Sequence, residues 1–228
     1  MQISELENRG KVFQSQLLLQ HVEIEHFSSM KETVQAEEGI WLPKQVHGTH
    51  IHLLRSGQTV PAPFSIEADA VVCDMAGQWI GIRTADCVPI LLYDERQHLV
   101  AAIHAGWRGT VKHIVRKTIQ LMKSDLGTNA QDLWAMIGPS ISPSSYEVGP
   151  EVAKEFVEAG RASCVIGGYV RPHLDLRQSN VMDLLEEEVE LDKIDCSPLC
   201  TFEQEMLYSA RREGIETGRN ITAIRLKG

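Results

Sequence analysis

The sequence predicts an α+β fold with a mixed or antiparallel sheet system. Apolar strand-like runs come in series, helical patterns are interspersed only later, and no strict strand–helix alternation builds a parallel sheet. The chain has 228 residues, 43% of them hydrophobic, enough for one generous domain or two small ones. The Pro- and Gly-bearing loop near 56–64 is the best candidate boundary but lacks linker composition, so one domain over 1–228 is expected.

Residues 13–28, FQSQLLLQHVEIEHFS, read as one or two partly alternating β segments, with His21 and His26 as exposed strand residues. MKETVQAEEG reads as a loop or short helix, and HIHLL, from His50, as a strand. DAVVCD and WIGIRTA make two more strands, with Gly77 at the turn between them. PILLYD and HLVAAIH follow as a hairpin around Glu95-Arg96-Gln97. Residues 110–125 place apolar side chains at 111, 114, 115, 118, 119 and 122, an amphipathic helix with Thr110 as N-cap and Gly127 past its end. LWAMIG reads as a buried strand and PEVAKEFVEAG as a short helix with Pro150 in its first turn. NVMDLLEEEVEL is another helix, and NITAIRL closes the chain as a strand.

The net charge of −9 argues against a nucleic-acid partner, which calls for a basic face. No apolar run approaches the ~20 residues that span a bilayer, and MQISELENRG lacks the layout of a secretion signal. A cytoplasmic protein with no membrane partner is expected. Five dispersed cysteines fit free or metal-bound thiols better than a disulfide framework. The spacing of Cys196 and Cys200, without a second pair, does not fit a structural zinc knuckle.

Chemistry concentrates at the open end of the hairpin. If Tyr93 pairs with His98, or Asp94 with Gln97, Cys87 lies directly opposite His104, within reach of a shared metal or proton. A third ligand is available in KQVHGTHIH, where spacing does not choose among His47, His50 and His52. One Cys and two His would leave the fourth zinc position open, the catalytic rather than the structural arrangement. The Ala-Gly-Trp-Arg-Gly break after the hairpin leads into a helix N-terminus, where Arg108 is suited to a phosphate or carboxylate.

KQVHG (44–48), DAVVCD (69–74), TADCVPILLYD (84–94), AAIHAGWRGT (101–110), GPSIS…YEVG (138–149), HLDLRQSN (173–180) and SARREGIETGRN (209–220) occur together and in order. Over roughly residues 40–228 the chain thereby resembles the YlmD/YfiH purine nucleoside phosphorylase family, formerly the multicopper polyphenol oxidase or laccase-domain family. The resemblance implies a central β-sandwich flanked by helices, of the type shared with cytotoxic necrotizing factor, and a catalytic zinc on His47, Cys87 and His104. It implies phosphorolysis of adenosine, inosine, guanosine and methylthioadenosine, deamination of adenosine, and copper only for a minor oxidase activity. The implied partners are a purine nucleoside and phosphate; a homodimer is a candidate assembly, and the sequence does not give the oligomeric state. Within this frame Arg108 is the candidate for phosphate, and Asp86 and Glu147 are candidates for proton transfer. Arg211 and Arg212 match a family motif without an assigned role.

Two departures stand out. The stretch HFSSMKETVQAEEG is shorter than the family's N-terminal segment and lacks its Gly-Gly-Val-Ser loop and Ser-Leu-Asn. Ser144-Ser145 replaces a frequent pair of cysteines. A true multicopper site needs about ten histidines in His-x-His pairs; this chain has nine histidines and only the pair His50 and His52. Two other readings use the same residues: a metal-independent hydrolase or deamidase with Cys87 and His104 as nucleophile and base, and a non-catalytic binding module with a structural zinc.

Overall fold

The computed structural model describes residues 1–228, and fourteen strands supply its framework. These are β1 (Gln2–Leu6), β2 (Gly10–Gln14), β3 (Ile24–Ser29), β4 (Ile40–Trp41), β5 (Ile51–Leu54), β6 (Ala70–Cys73) and β7 (Trp79–Thr84). They continue with β8 (Val88–Asp94), β9 (Leu99–Ala105), β10 (Leu133–Ile137), β11 (Val165–Ile166), β12 (His173–Leu174), β13 (Ile194–Cys196) and β14 (Asn220–Leu226). The helices are α1 (Trp107–Val111), α2 (Ile114–Leu126), α3 (Pro150–Glu158), α4 (Leu176–Glu186) and α5 (Ala210–Glu213).

Two six-stranded sheets form, in the orders β1-β2-β3-β14-β7-β4 and β13-β10-β8-β9-β6-β5. Each is mainly antiparallel with parallel pairing at an edge, β4 on β7 in the first and β5 on β6 and β13 on β10 in the second. The sheets pack face to face. Leu91, Tyr93, Val100 and Ala102 of the second sheet meet Ile80, Ile82 and Ile224 of the first. The alternate residues Ile90, Leu92, Ala101 and Ile103 turn the other way, onto Ile114, Val115 and Ile119 of α2 and Leu184 of α4. Both faces of β8 and β9 are therefore buried, which is why their sequences are continuously apolar rather than alternating. Mixed sheets in a sandwich flanked by helices are the expected class.

Several local expectations change. Leu18–Gln20 is a 3-10 turn, not strand, and His26 is buried at 1% exposure, its Nε2 satisfied by a hydrogen bond from Ser15 N at 2.9 Å. β6 and β7 belong to different sheets, so the Gly77 turn (φ +79°) is a crossover between layers. The amphipathic helix begins earlier and is broken. α1 starts at Trp107 with Gly106 as its N-cap, and His113 (φ 58°) is left-handed between α1 and α2. Thr110 is therefore no N-cap; it is buried inside α1, where its hydroxyl accepts from Asn180. No helix is long and apolar enough to cross a membrane.

The hairpin register also differs. Asp94 pairs with Leu99 and Pro89 with His104, two positions from the expected alignment. The side chain of Asp94 sets the turn: its Oδ1 accepts from Arg96 N (3.0 Å) and Gln97 N (2.8 Å), and His98 takes a left-handed φ of 51°. Cys87 thus lies just before β8, diagonal to His104 rather than directly opposite it. The shift is by two, so both side chains remain on one face.

Candidate active site

The open end of the β8–β9 hairpin meets the loop before β5. There the ligand atoms of His47, Cys87 and His104 all lie within 4.8 Å of one another. Cys87 Sγ is 4.0 Å from His47 Nε2, and the two imidazoles meet edge to face with centroids 4.8 Å apart. His104 is 3% exposed, Cys87 is half-buried and His47 is exposed, so the group opens on the His47 side. His50 and His52 are turned elsewhere. The Nδ1 of His50 is 2.6 Å from the Glu67 carbonyl, and the His52 ring stacks on Trp41 at 5.1 Å.

Backbone geometry builds this group. His47 (φ 58°) and Asp86 (φ 93°), the residue before Cys87, are both in the left-handed region, which for such residues costs on the order of 1–3 kcal/mol each. Asp86 is held by its carboxylate, Oδ1 accepting from Thr201 Oγ1 (2.6 Å) and Oδ2 from Arg211 N (2.7 Å). His47 is held by Asp69, which is fully buried. Asp69 Oδ1 accepts from His47 N (2.9 Å) and His104 Nδ1 (2.8 Å), and Oδ2 from Gly48 N (2.6 Å). Burial pushes the Asp69 carboxyl up, but these bonds outweigh it and hold it below the ordinary carboxylate range. Burial likewise raises the Cys87 thiol, yet the charge and hydrogen bond of His104, joined by His47, bring it down to about 6. Burial lowers His104, and Cys87 and Asp69 together raise it to about 9.

The three side chains fit a soft divalent ion. A tetrahedral zinc with Zn–S near 2.3 Å and Zn–N near 2.0 Å sets its ligands about 3.5 Å apart, a small closure from the spacing seen. The residue facing Cys87 across the hairpin is Gly106, and a Cβ there would lie 2.9 Å from His47 Cδ2 and 3.1 Å from Cys87 Sγ. A thiolate with two imidazoles favours zinc or copper over magnesium or calcium.

The group forms part of the wall of a cleft of about 880 Å³. Lys44, Arg83, Arg211 and Arg219 line it with Asp86 and Glu216; Lys44 pairs with Glu67 and Arg83 with Glu37, so Arg211 and Arg219 supply the local positive charge. Tyr146 also lines it, with the Arg211 guanidinium 5.3 Å over its ring. Burial, reinforced by the negative charge at Cys87, keeps the Tyr146 phenol protonated well beyond its usual range.

The sequence candidates distribute unevenly around this cleft. Asp86 lines it with both carboxylate oxygens engaged. Arg108 is exposed, its guanidinium 4.4 Å over the Trp107 ring, and Trp107 rather than Arg108 lines the cleft. The five-residue α1 is too short to concentrate a dipole beside it. Glu147 is exposed and lies 3.4 Å from Arg171, outside the cleft lining. Asp69 had no assigned role in the sequence, although an acidic residue leading the apolar run AVVC hints at a buried, partnered carboxylate. Tyr146 lies in GPSIS…YEVG and Arg211 in SARREGIETGRN, but spacing alone gives no hint that they share a wall with Cys87.

Fold and site together define a cleft with a His–Cys–His group in its wall whose side chains could hold a metal ion. The chain belongs to the family described as multi-copper polyphenol oxidoreductase laccase, whose model matches residues 20–227. A purine nucleoside phosphorylase of Bacteroides thetaiotaomicron is 37% identical over 205 residues, covering 86% of this chain and 76% of that protein. An adenosine deaminase named RL5, from an unknown prokaryotic organism, is 35% identical over 80% of this chain and 73% of its own length. The crystal structure of YlmD from Geobacillus stearothermophilus superposes with a TM-score of 0.83 at 21% identity, covering 99% of both chains. The Bacillus licheniformis protein YfiH gives 0.85, also at 21% identity and 99% coverage of both chains. At that identity the two structures speak to the fold.

Proposed function

We propose that this protein is a zinc-dependent purine nucleoside phosphorylase that also deaminates adenosine. The observation that carries the reading is the His47, Cys87 and His104 group in the wall of a cationic cleft, with the named activities of the relatives supporting the substrate class. His47, Cys87 and His104 would hold a zinc ion, which would supply Lewis acidity and make water in the cleft more acidic. The chain's own residues do the rest. Asp86 serves as a strut that holds Cys87 and α5, one oxygen accepting from Thr201 and the other from Arg211 N. Tyr146, held protonated beside Cys87, is placed to donate to a purine or ribose oxygen. Glu147, exposed and paired with Arg171, has no part in proton transfer in this reading.

Phosphate is assigned to the guanidinium of Arg211, which lines the cleft, with Arg108 at the rim steering anions inward. Inosine with phosphate should give hypoxanthine and ribose 1-phosphate, and adenosine should release ammonia. Arg211→Ala should raise the KM for phosphate roughly 10-fold or more, the loss of a charged hydrogen bond worth about 2 kcal/mol. Arg108→Ala should raise it less. No phosphate-dependent release of hypoxanthine would reject the reading, and a larger effect at Arg108 would reverse the phosphate assignment.

One observation favours a second reading. The thiol of Cys87, brought down to about 6 beside His104, has the character of a nucleophile in a Cys–His dyad. That chemistry needs no metal, and rapid alkylation at Cys87 with loss of activity in metal-free protein would be its signature.

A further inference from the structure

We propose that Asp69 is the positioning residue of the metal centre, one buried carboxylate that orients both histidines. The proposal rests on reading His47, Cys87 and His104 as zinc ligands. Asp69 sits one residue before β6, which pairs with β9 on one side and β5 on the other. It therefore stands between the strand that carries His104 and the loop that carries His47. Its backbone already ties the two together: Asp69 O accepts from His104 N at 2.7 Å, and Asp69 N donates to the His50 carbonyl at 2.9 Å.

The side chain divides the work between its oxygens. Oδ1 receives His104 Nδ1–H (2.8 Å) and His47 N–H (2.9 Å). Oδ2 receives Gly48 N–H (2.6 Å) and Val46 N–H (3.3 Å). Three successive amides thus bend round one carboxylate, which is what keeps His47 in its left-handed conformation. The bond to Nδ1 leaves Nε2 of His104 as the nitrogen presented to Cys87 and His47. A buried carboxylate without these donors would be costly, so the four bonds and the ligand geometry stand or fall together.

The geometry also explains why no isosteric amide can replace it. In Asp69→Asn one oxygen becomes an NH2 group. Turned one way, that NH2 faces the Val46 and Gly48 amides; turned the other, it faces His47 N–H and His104 Nδ1–H. Donor meets donor in both cases, and either the loop or the imidazole loses its anchor.

The test is the zinc affinity of the full chain, measured by competition with a chromogenic chelator, for wild type, Asp69→Asn and Asp74→Asn. Asp74 lies at the far end of β6, bonded to Arg55 and Ser56, and controls for loss of a carboxylate. Asp69→Asn should bind zinc about 10–100-fold more weakly, while Asp74→Asn stays within about twofold of wild type. A merely structural Asp69 would lower the melting temperature of the metal-free protein and leave the affinity of its folded form unchanged, which overturns the proposal. If Asp69→Asn does not fold, long-range proton–nitrogen spectra of zinc-loaded wild type decide: His104 must carry its proton on Nδ1, and metal on Nδ1 overturns the proposal. Absence of zinc binding by wild type is a different result, which rejects the ligand reading itself and this proposal with it.

Discussion

At the scale of single residues, the site depends on what is missing as much as on what is present. Gly106 has no side chain, and its backbone is extended at φ −70° and ψ 169°, open to any residue. The constraint is space, because a Cβ would press on His47 and Cys87 from less than 3.2 Å. Gly106→Ala should therefore leave the protein folded and reduce its zinc content, read by elemental analysis alongside circular dichroism. Wild-type zinc content in that variant would show that the ligands have slack to give and that the glycine serves some other end. Asp86 and Asp69 illustrate the complementary case, in which carboxylates are consumed by amides and hydroxyls to hold strained backbone beside the chemistry.

At the scale of elements, the β8–β9 hairpin was legible and its register was not. Continuous apolar runs bounded by a polar turn identify two buried strands. The place where the turn closes depends on Asp94 capping Arg96 and Gln97, an Asx turn that periodicity does not weigh. The end of α2 was equally plain, since Gly127 is left-handed at φ 73°. Its start was not, because the break at His113 leaves the apolar spacing of 111, 114 and 115 intact. What holds that break is tertiary: His113 Nδ1 lies 2.8 Å from Asp183 Oδ1 on α4. The His–Cys–His group was half legible. The Cys and His at the hairpin end pointed to it, whereas the choice of His47 over His50 and His52 came from the family resemblance. Arg211 and Tyr146 reach the cleft from distant parts of the chain, a convergence that no local pattern encodes.

At the scale of the whole molecule, one buried histidine gives stability a pH dependence. Burial of His26 outweighs the nearby Asp195 charge and the Ser15 bond, lowering it to about 4. Its neutral form is the one that folds. Between about pH 6.5 and 4 the unfolded chain binds the proton and the folded one does not, so stability rises with pH across that window and falls on acidification. The contribution is about 3 kcal/mol once pH drops below both values. Denaturant melts at pH 7 and pH 4 should show His26→Gln losing less stability on acidification than wild type; equal losses would mean the histidine titrates normally in the fold. The same sandwich that buries His26 brings the β8–β9 hairpin, the His47 loop and α5 to one cleft, where metal is proposed to do the work. The direct measurement is the rate of inosine phosphorolysis by protein stripped with a chelator and then titrated with zinc, with iodoacetamide labelling of Cys87 followed in parallel. Activity should disappear with the metal and return in proportion to zinc up to one ion per chain, and Cys87 should label quickly only in the stripped state. Full activity in metal-free protein, abolished by alkylation of Cys87, would contradict that role for the metal.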